Sequence, residues 1–240
     1  MGTDKIDLFM PTFNRLEYTK IAVESLFSTT DARLVTQFIV VDGNSDDGTT
    51  QYLEKTLGDA PFKSRLIRIR ERHVVHAMQA ARDACQTPIV AKLDSDTVAC
   101  PDWLPISLDV LNRHPDVWAL GIGAGESMVP WTSKEPRSYL AAKHVGGVGL
   151  FRRKAWEGLM PETAPYHGWT THQWNSPWKK GWLMPNLPIF LLDQLPFEPF
   201  VSLRSEYFNR GWHRTRSGYR ESQEAYWTWK FPDWRKPRAG

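Results

Sequence analysis

Between residues 6 and 124 the chain repeatedly alternates short apolar runs with amphipathic segments, and that alternation narrows the choice of fold more than any other feature. "IDLFM" (6–10) is an apolar run stopped by Pro11. In "TFNRLEYTKIAVESLFSTT" (12–30), Leu16, Ile21, Val23, Leu26 and Phe27 recur at close to helical spacing. "TQFIVVD" (36–42) is four apolar residues in a row, rich in β-branched types, and suits a strand covered on both faces. "DDGTTQYLEKTL" (46–57) reads as a helix with Thr49 as its N-cap. Strand "SRLIRIRE" (64–71), helix "HAMQAARDAC" (76–85), strand "PIVAKLDSD" (88–96), helix "DWLPISLDVLNRH" (102–114) and strand "VWALGIGA" (117–124) continue the series. Such a pattern predicts an α/β domain, a Rossmann-like, mostly parallel sheet with helices on both faces.

In a sheet of that kind, ligands bind beyond the carboxyl ends of the strands. Two of the predicted strands end in acids there: Asp42, followed by Asp46 and Asp47, and then Asp94 and Asp96 on either side of Ser95. Asp42, Asn44 and Ser45 can also be read as a turn that caps the next helix. Acids at two matching strand ends point instead to a shared crevice. Two carboxylates one residue apart on a turning backbone suit a hard divalent cation, Mn²⁺ or Mg²⁺, which takes oxygen ligands and leaves sites open for substrate phosphates.

The formal net charge of +3 decides no partner, but its distribution is uneven. From Arg204 onward nine Lys/Arg face four Asp/Glu, so the tail is basic and the remainder slightly acidic. Nine of the 12 tryptophans lie at or beyond Trp156. The two cysteines, Cys85 and Cys100, make no disulfide framework. "MGTDKIDLFMP" lacks the layout of a signal peptide. No apolar run approaches the roughly 18 residues of a membrane span, and the expectation is a cytoplasmic protein. Residues 1–203 are expected to form the α/β domain and 204–240 a basic, Trp-rich extension packed on or beside it.

In combination these segments resemble family 2 glycosyltransferases, which have the GT-A fold. The resemblance rests on "MPTFNR" (Met10–Arg15), "VVDGNSDDGT" (Val40–Thr49), the "ARDAC" helix, "LDSD" (Leu93–Asp96) as the Asp-x-Asp motif, and "GGVGLFRR" (Gly146–Arg153) as the Gly-rich segment on the acceptor side. It implies a nucleotide-sugar donor and transfer to an acceptor hydroxyl. Pro11, Thr12, Asn14 and Arg15 would line the nucleotide pocket, with Arg72 and Ser95 beside it. Asp42 would accept a hydrogen bond from the base, most simply a uracil N–H. Asp94 would contact ribose or metal, and Asp96 the metal that bridges the diphosphate. A bound cation there stabilises the negative charge that gathers on the leaving diphosphate.

Three departures from the family pattern bear on function. Asp42-Gly43-Asn44-Ser45 stands where family members usually read Asp-Asp-Gly-Ser or Asp-Asn-Gly-Ser, and the Asn-x-Gly before the Ala-Arg-Asn helix is missing from "RERHVVHAMQ". Inverting members carry a Glu-Asp pair before a Gly-aromatic strand; here that strand is "KKGWLMPNLPIFLLD", and the matching region "YHGWTTHQWNSPW" contains no acid. His172 is then the first candidate for the catalytic base, ahead of His167 and Asp193. Many GT-A enzymes use a late His as an extra metal ligand; Asp193 lies near that place, and His213 comes later. Retention of configuration, which needs no dedicated base, is the other route.

The acceptor is open: a glycan, a small molecule or, from the Arg- and Trp-rich tail "YFNRGWHRTRSGYRESQEAYWTWK", a hydroxylated base in viral DNA, which would have to be flipped out of a duplex. Two other classes compete with a glycosyltransferase. A nucleotidyltransferase would need a Gly-rich, Lys/Arg-bearing loop after the first strand, and "PTFNR" has no glycine. A non-catalytic nucleotide-sugar binder would account for the absent Glu-Asp.

Overall fold

The computed structural model describes residues 5–72, 74–123, 138–143, 145, 147–159, 176–184 and 189–191. Among them the helices and strands alternate as the sequence predicts. The first strand, β1 (Ile6–Thr12), is followed by α1 (Leu16–Thr29), β2 (Val35–Asp42), α2 (Thr49–Thr56), β3 (Ser64–Arg68) and α3 (Val74–Ala84). Then come β4 (Ile89–Lys92), β5 (Thr97–Ala99), α4 (Trp103–Arg113), β6 (Val117–Gly121), β7 (Ser138–Ala142), β8 (Gly149–Arg152), α5 (Arg153–Leu159), β9 (Lys179–Met184) and β10 (Ile189–Leu191).

Eight of these strands form one sheet in the order β3-β2-β1-β4-β8-β6-β9-β7. The β3-β2-β1-β4 block is parallel throughout, β8 runs antiparallel to both β4 and β6, β6 and β9 are parallel, and β7 reverses on the edge. A separate two-stranded sheet pairs β5 with β10 antiparallel, Thr97 opposite Leu191. It follows directly on Asp96, so the acidic turn is held between the main sheet and a small second one.

Side-chain alternation divides the core into two layers. Ile6, Leu8 and Met10 of β1 pack with Phe38 and Val40 of β2 against Val23 and Leu26 of α1, Leu53 of α2 and Trp103, Leu108 and Leu111 of α4. On the other face Phe9, Ile39, Val41 and Val90 meet Ala77, Met78 and Ala81 of α3 and Trp156 of α5. The Trp156 ring lies 5.0 Å from that of Phe9 and 5.3 Å from that of Phe151, tilted to both. Helices therefore cover both faces, as expected. No helix of the described residues is long and apolar enough to cross a membrane.

Two local expectations need correction. Pro11 does not stop β1: the strand runs on to Thr12, with Pro11 opposite Val41. A proline is tolerated in this central strand because the β4 ladder ends at the Phe9–Lys92 pair, so no partner remains on that side for the N–H that proline lacks. Nor is Thr49 the N-cap of α2. It is the first helical residue, after Gly48 at φ +96°, and the capping oxygen comes from Asp47.

Candidate functional site

The carboxyl ends of β1, β2 and β4 lie side by side on one rim of the sheet, and the loops that leave them are laced together. Asn14, in the left-handed region at φ +49°, turns the chain out of β1, a conformation Asn tolerates better than most residues. Its backbone N–H donates to Ser45 Oγ at 2.9 Å, its side-chain Nδ2 donates to Asp46 Oδ1 at 2.9 Å, and its Oδ1 accepts from the Asp46 N–H at 2.8 Å. Asp47 bridges two helices: one oxygen accepts from Leu16 N–H at 3.0 Å at the start of α1, the other from Thr49 N–H at 3.0 Å and Thr49 Oγ1 at 2.6 Å at the start of α2. A carboxylate at two helix N-termini satisfies otherwise orphaned donors and complements both dipoles. The Gly43 N–H completes the lacing by donating to Thr12 O at 2.9 Å.

Asp42 sits beneath this loop with none of its surface exposed. It accepts from Ser45 Oγ at 2.5 Å and from Thr50 Oγ1 at 2.6 Å, and the Ser45 N–H lies 3.3 Å from both of its oxygens. The turn-and-cap reading of Asp42 is thus present in the geometry. Pro11, Thr12 and Asn14 are also buried, Thr12 Oγ1 lying 3.1 Å from Thr19 Oγ1 of α1. Arg72 is about half exposed; it pairs with Asp46 at 3.2 Å and its guanidinium carbon lies 5.4 Å from the centre of the Phe13 ring.

The Asp-x-Asp turn carries its own counter-charges. Asp96, nearly buried, is ion-paired with Arg15, the residue at the entry to α1. Asp94 is ion-paired with Lys92, the last residue of β4. The side chain of Lys92 is 1% exposed, on the same sheet face as Val90 and Phe9 and next to Gly149 of β8. A buried ammonium costs several kcal/mol unless it is paired, so Asp94 is what permits this lysine. Thr97 Oγ1 donates to Asp94 O at 2.7 Å and fixes the turn, with Ser95 buried inside it.

Burial is the largest influence on Asp94 and pushes its carboxyl above the usual carboxylate range. The ammonium of Lys92 pulls it back, the Asp96 charge adds to the rise, and Arg15 opposes it. The side chain nonetheless keeps 30% of its surface open to solvent. Water on that open side moderates the rise.

The donor set around this turn is two carboxylates, hard oxygen ligands, one of them with an open side. That fits a Mg²⁺- or Mn²⁺-type ion held by one or two carboxylates and completed by substrate phosphates. Among the described residues no cluster of three or more His, Cys, Asp or Glu forms a closed metal cage. The structure thus brings together Arg15 with Asp96, Lys92 with Asp94 and Arg72 with Asp46. His172 and Asp193 lie outside the described residues, as do His167, His213 and the 204–240 extension. Lys92 is not singled out by the sequence, and Asp47, which is, does not show there its role as a bridge between two helices. The signal for Lys92 was a single charge inside the apolar run "PIVAKL"; Asp47 was hidden among three nearby acids.

A mostly parallel sheet between two helical layers, with loops from β1 and β2 meeting an acidic turn after β4, defines the GT-A class of glycosyltransferases. The sequence matches Glycosyl transferase family 2 over residues 7–170, and the chain belongs to that family. Solved structures agree on the fold. S. aureus TarS 1–349 in complex with UDP-GlcNAc is 17% identical, with a TM-score of 0.60 over 78% of this chain and 58% of that one. GalNAc-T7 with UDP, GalNAc and Mn²⁺ is 12% identical at a TM-score of 0.58, over 79% of this chain and 43% of that one. The mannosyltransferase PcManGT from Pyrobaculum calidifontis with GDP-Man and Mn²⁺ is 18% identical at 0.51, over 65% and 47%. The chain spans little more than half the length of the TarS fragment solved with its nucleotide-sugar. No curated protein matches the sequence.

Proposed function

We propose that the protein transfers a sugar from a nucleotide-sugar, of the UDP type, to an acceptor hydroxyl with the help of Mn²⁺ or Mg²⁺. The observation that carries this reading is the Asp94–Asp96 turn, placed at the carboxyl end of β4 beside the loops of β1 and β2, with Arg15 reaching it from α1. Asp96 and the open side of Asp94 would hold the cation, which supplies charge stabilisation to the departing diphosphate when bound.

The chain's own residues do the rest. Arg15 and Arg72 present guanidinium groups suited to phosphate oxygens. Asp42, Ser45 and Thr50 hold the loop on which a base would rest, and Asp47 holds both helices to it. UDP in two of the compared structures favours a uridine donor, and GDP-Man in the third keeps guanosine in the screen. His172 is the proposed proton acceptor, with Asp193 as the second candidate.

The test is a thermal-shift screen of the whole chain against UDP-, GDP-, TDP- and CMP-sugars, with and without Mn²⁺. A metal-dependent rise in melting temperature with one donor is expected and names that donor. Asp96→Ala should retain the wild-type fold by circular dichroism and lose both the shift and turnover. Full metal-dependent turnover in that variant would sink the assignment.

A further inference from the structure

Every acid of the Asp-x-Asp turn already has a cation, and both cations are built into the fold. Lys92 cannot leave Asp94 cheaply, because its side chain is 1% exposed and an unpaired ammonium there would be costly. Arg15 is different. Its side chain is 11% exposed, and its guanidinium carbon lies 5.5 Å from the centre of the Tyr18 ring, one helical turn along α1. It stands at the first residue outside α1, where a modest rotation of a long side chain carries the charge several ångströms.

We propose that this four-group cluster is electrically neutral by design, so that the site recruits the divalent cation and the diphosphate together, with Arg15 handing over Asp96 to the cation and turning to the phosphates. The inference rests on the metal-assisted reading above and adds the order in which its parts assemble. Two carboxylates facing two cations have no net charge with which to draw in a dication, so the metal alone meets Arg15 as a competitor for Asp96. A diphosphate alone meets carboxylates that are still there to repel it. Together they bring charges of both signs: the cation takes the carboxylate, and the released guanidinium gains a partner it can hold bidentately. Arg15 thus acts as a positioning residue, placed to couple the two ligands. Lys92 stays in place and keeps Asp94 from drawing metal by itself.

The experiment is titration of the whole chain with Mn²⁺ alone, reading free Mn²⁺ by electron paramagnetic resonance, then with UDP or GDP added. The wild type is expected to bind Mn²⁺ weakly alone and at least about tenfold more tightly with the matching nucleoside diphosphate. Arg15→Gln is expected to bind Mn²⁺ alone at least about tenfold more tightly than wild type, with the nucleotide-dependent gain reduced, because the competitor is gone and one negative charge is uncovered. Arg15→Lys, which keeps the charge, should stay near the wild-type value for Mn²⁺ alone. Lys92→Met, close to the lysine stem in volume, should shift the same way as Arg15→Gln. A native-like Arg15→Gln with unchanged or weaker affinity for Mn²⁺ alone overturns the coupling while leaving the metal site standing. Failure of the wild type to bind Mn²⁺ with or without either nucleotide overturns both readings.

Discussion

Replacing Asp42 by alanine separates two roles that its position suggests. The carboxylate has no exposed surface and receives two short hydroxyl hydrogen bonds, from Ser45 at 2.5 Å and Thr50 at 2.6 Å, plus a longer contact from the Ser45 N–H. A hydrogen bond to a charged acceptor is worth about 1.5–3 kcal/mol. Two such bonds set an upper bound near 6 kcal/mol, and two terms reduce it. Removing the carboxylate also removes the cost of burying it. One of the two hydroxyls keeps a partial alternative acceptor: Thr50 Oγ1 lies 3.4 Å from Ser45 O. A net loss of about 3 kcal/mol is expected, which for a chain of this size lowers the melting temperature by about 6–12 °C. Thermal and urea unfolding of Asp42→Ala and Asp42→Asn measure it, with the asparagine falling between alanine and wild type. An alanine variant that melts with the wild type but no longer binds nucleotide would refute the reasoning and return Asp42 to reading the base.

Other outcomes follow from single features of the structure. Gly149→Ala would bring a Cβ to 2.7 Å from Leu120 O, a backbone atom that cannot swing away; β8 must shift, and a loss of about 1–3 kcal/mol in urea unfolding is expected. Trp103→Phe removes the 3.0 Å hydrogen bond from the indole to Thr30 Oγ1, made between two buried residues, and the loss expected in the same assay is about 1–2 kcal/mol. Burial pushes the Cys85 thiol up to about 12 and the Cys100 thiol to about 11. Both should therefore react with a disulfide reagent at pH 8 far more slowly in the native state than in urea. Because only the unfolded chain ionises these thiols readily, melting temperature should fall as pH rises from 9 towards 12, and a flat alkaline profile in the wild type that matches a Cys85→Ala variant would contradict it.

The parallel block was legible because each of its strands reports itself locally. "FIVVD" and "PIVAK" are short, apolar and rich in β-branched residues, which suits strands covered on both faces, and the helices between them carry their own spacing. What was not legible depends on distant partners. β5 is three residues long and owes its pairing to β10, some ninety residues later. β7 is an exposed edge with Leu140 open to solvent, so no burial pattern marks it. Pro11 read as a strand end because the sequence does not record that β4 stops at Lys92. In the site, the acids themselves stood out, but their division of labour did not. Asp42, Asp46 and Asp47 look equivalent in "DGNSDD"; in the fold one is buried under the loop, one faces Arg72 and Asn14, and one holds two helices.

The lacing of the β1 and β2 loops has a consequence for how such a chain can change over generations. Asn14, Ser45, Asp46 and Asp47 each touch a residue of the opposite loop. A substitution in either loop is then felt by both, and its effect depends on what stands across from it. Change at this floor is then expected to proceed by compensated pairs, and Arg72 at the margin is tied to it through Asp46. A single replacement on one loop therefore alters the setting of the other before it alters anything at the rim.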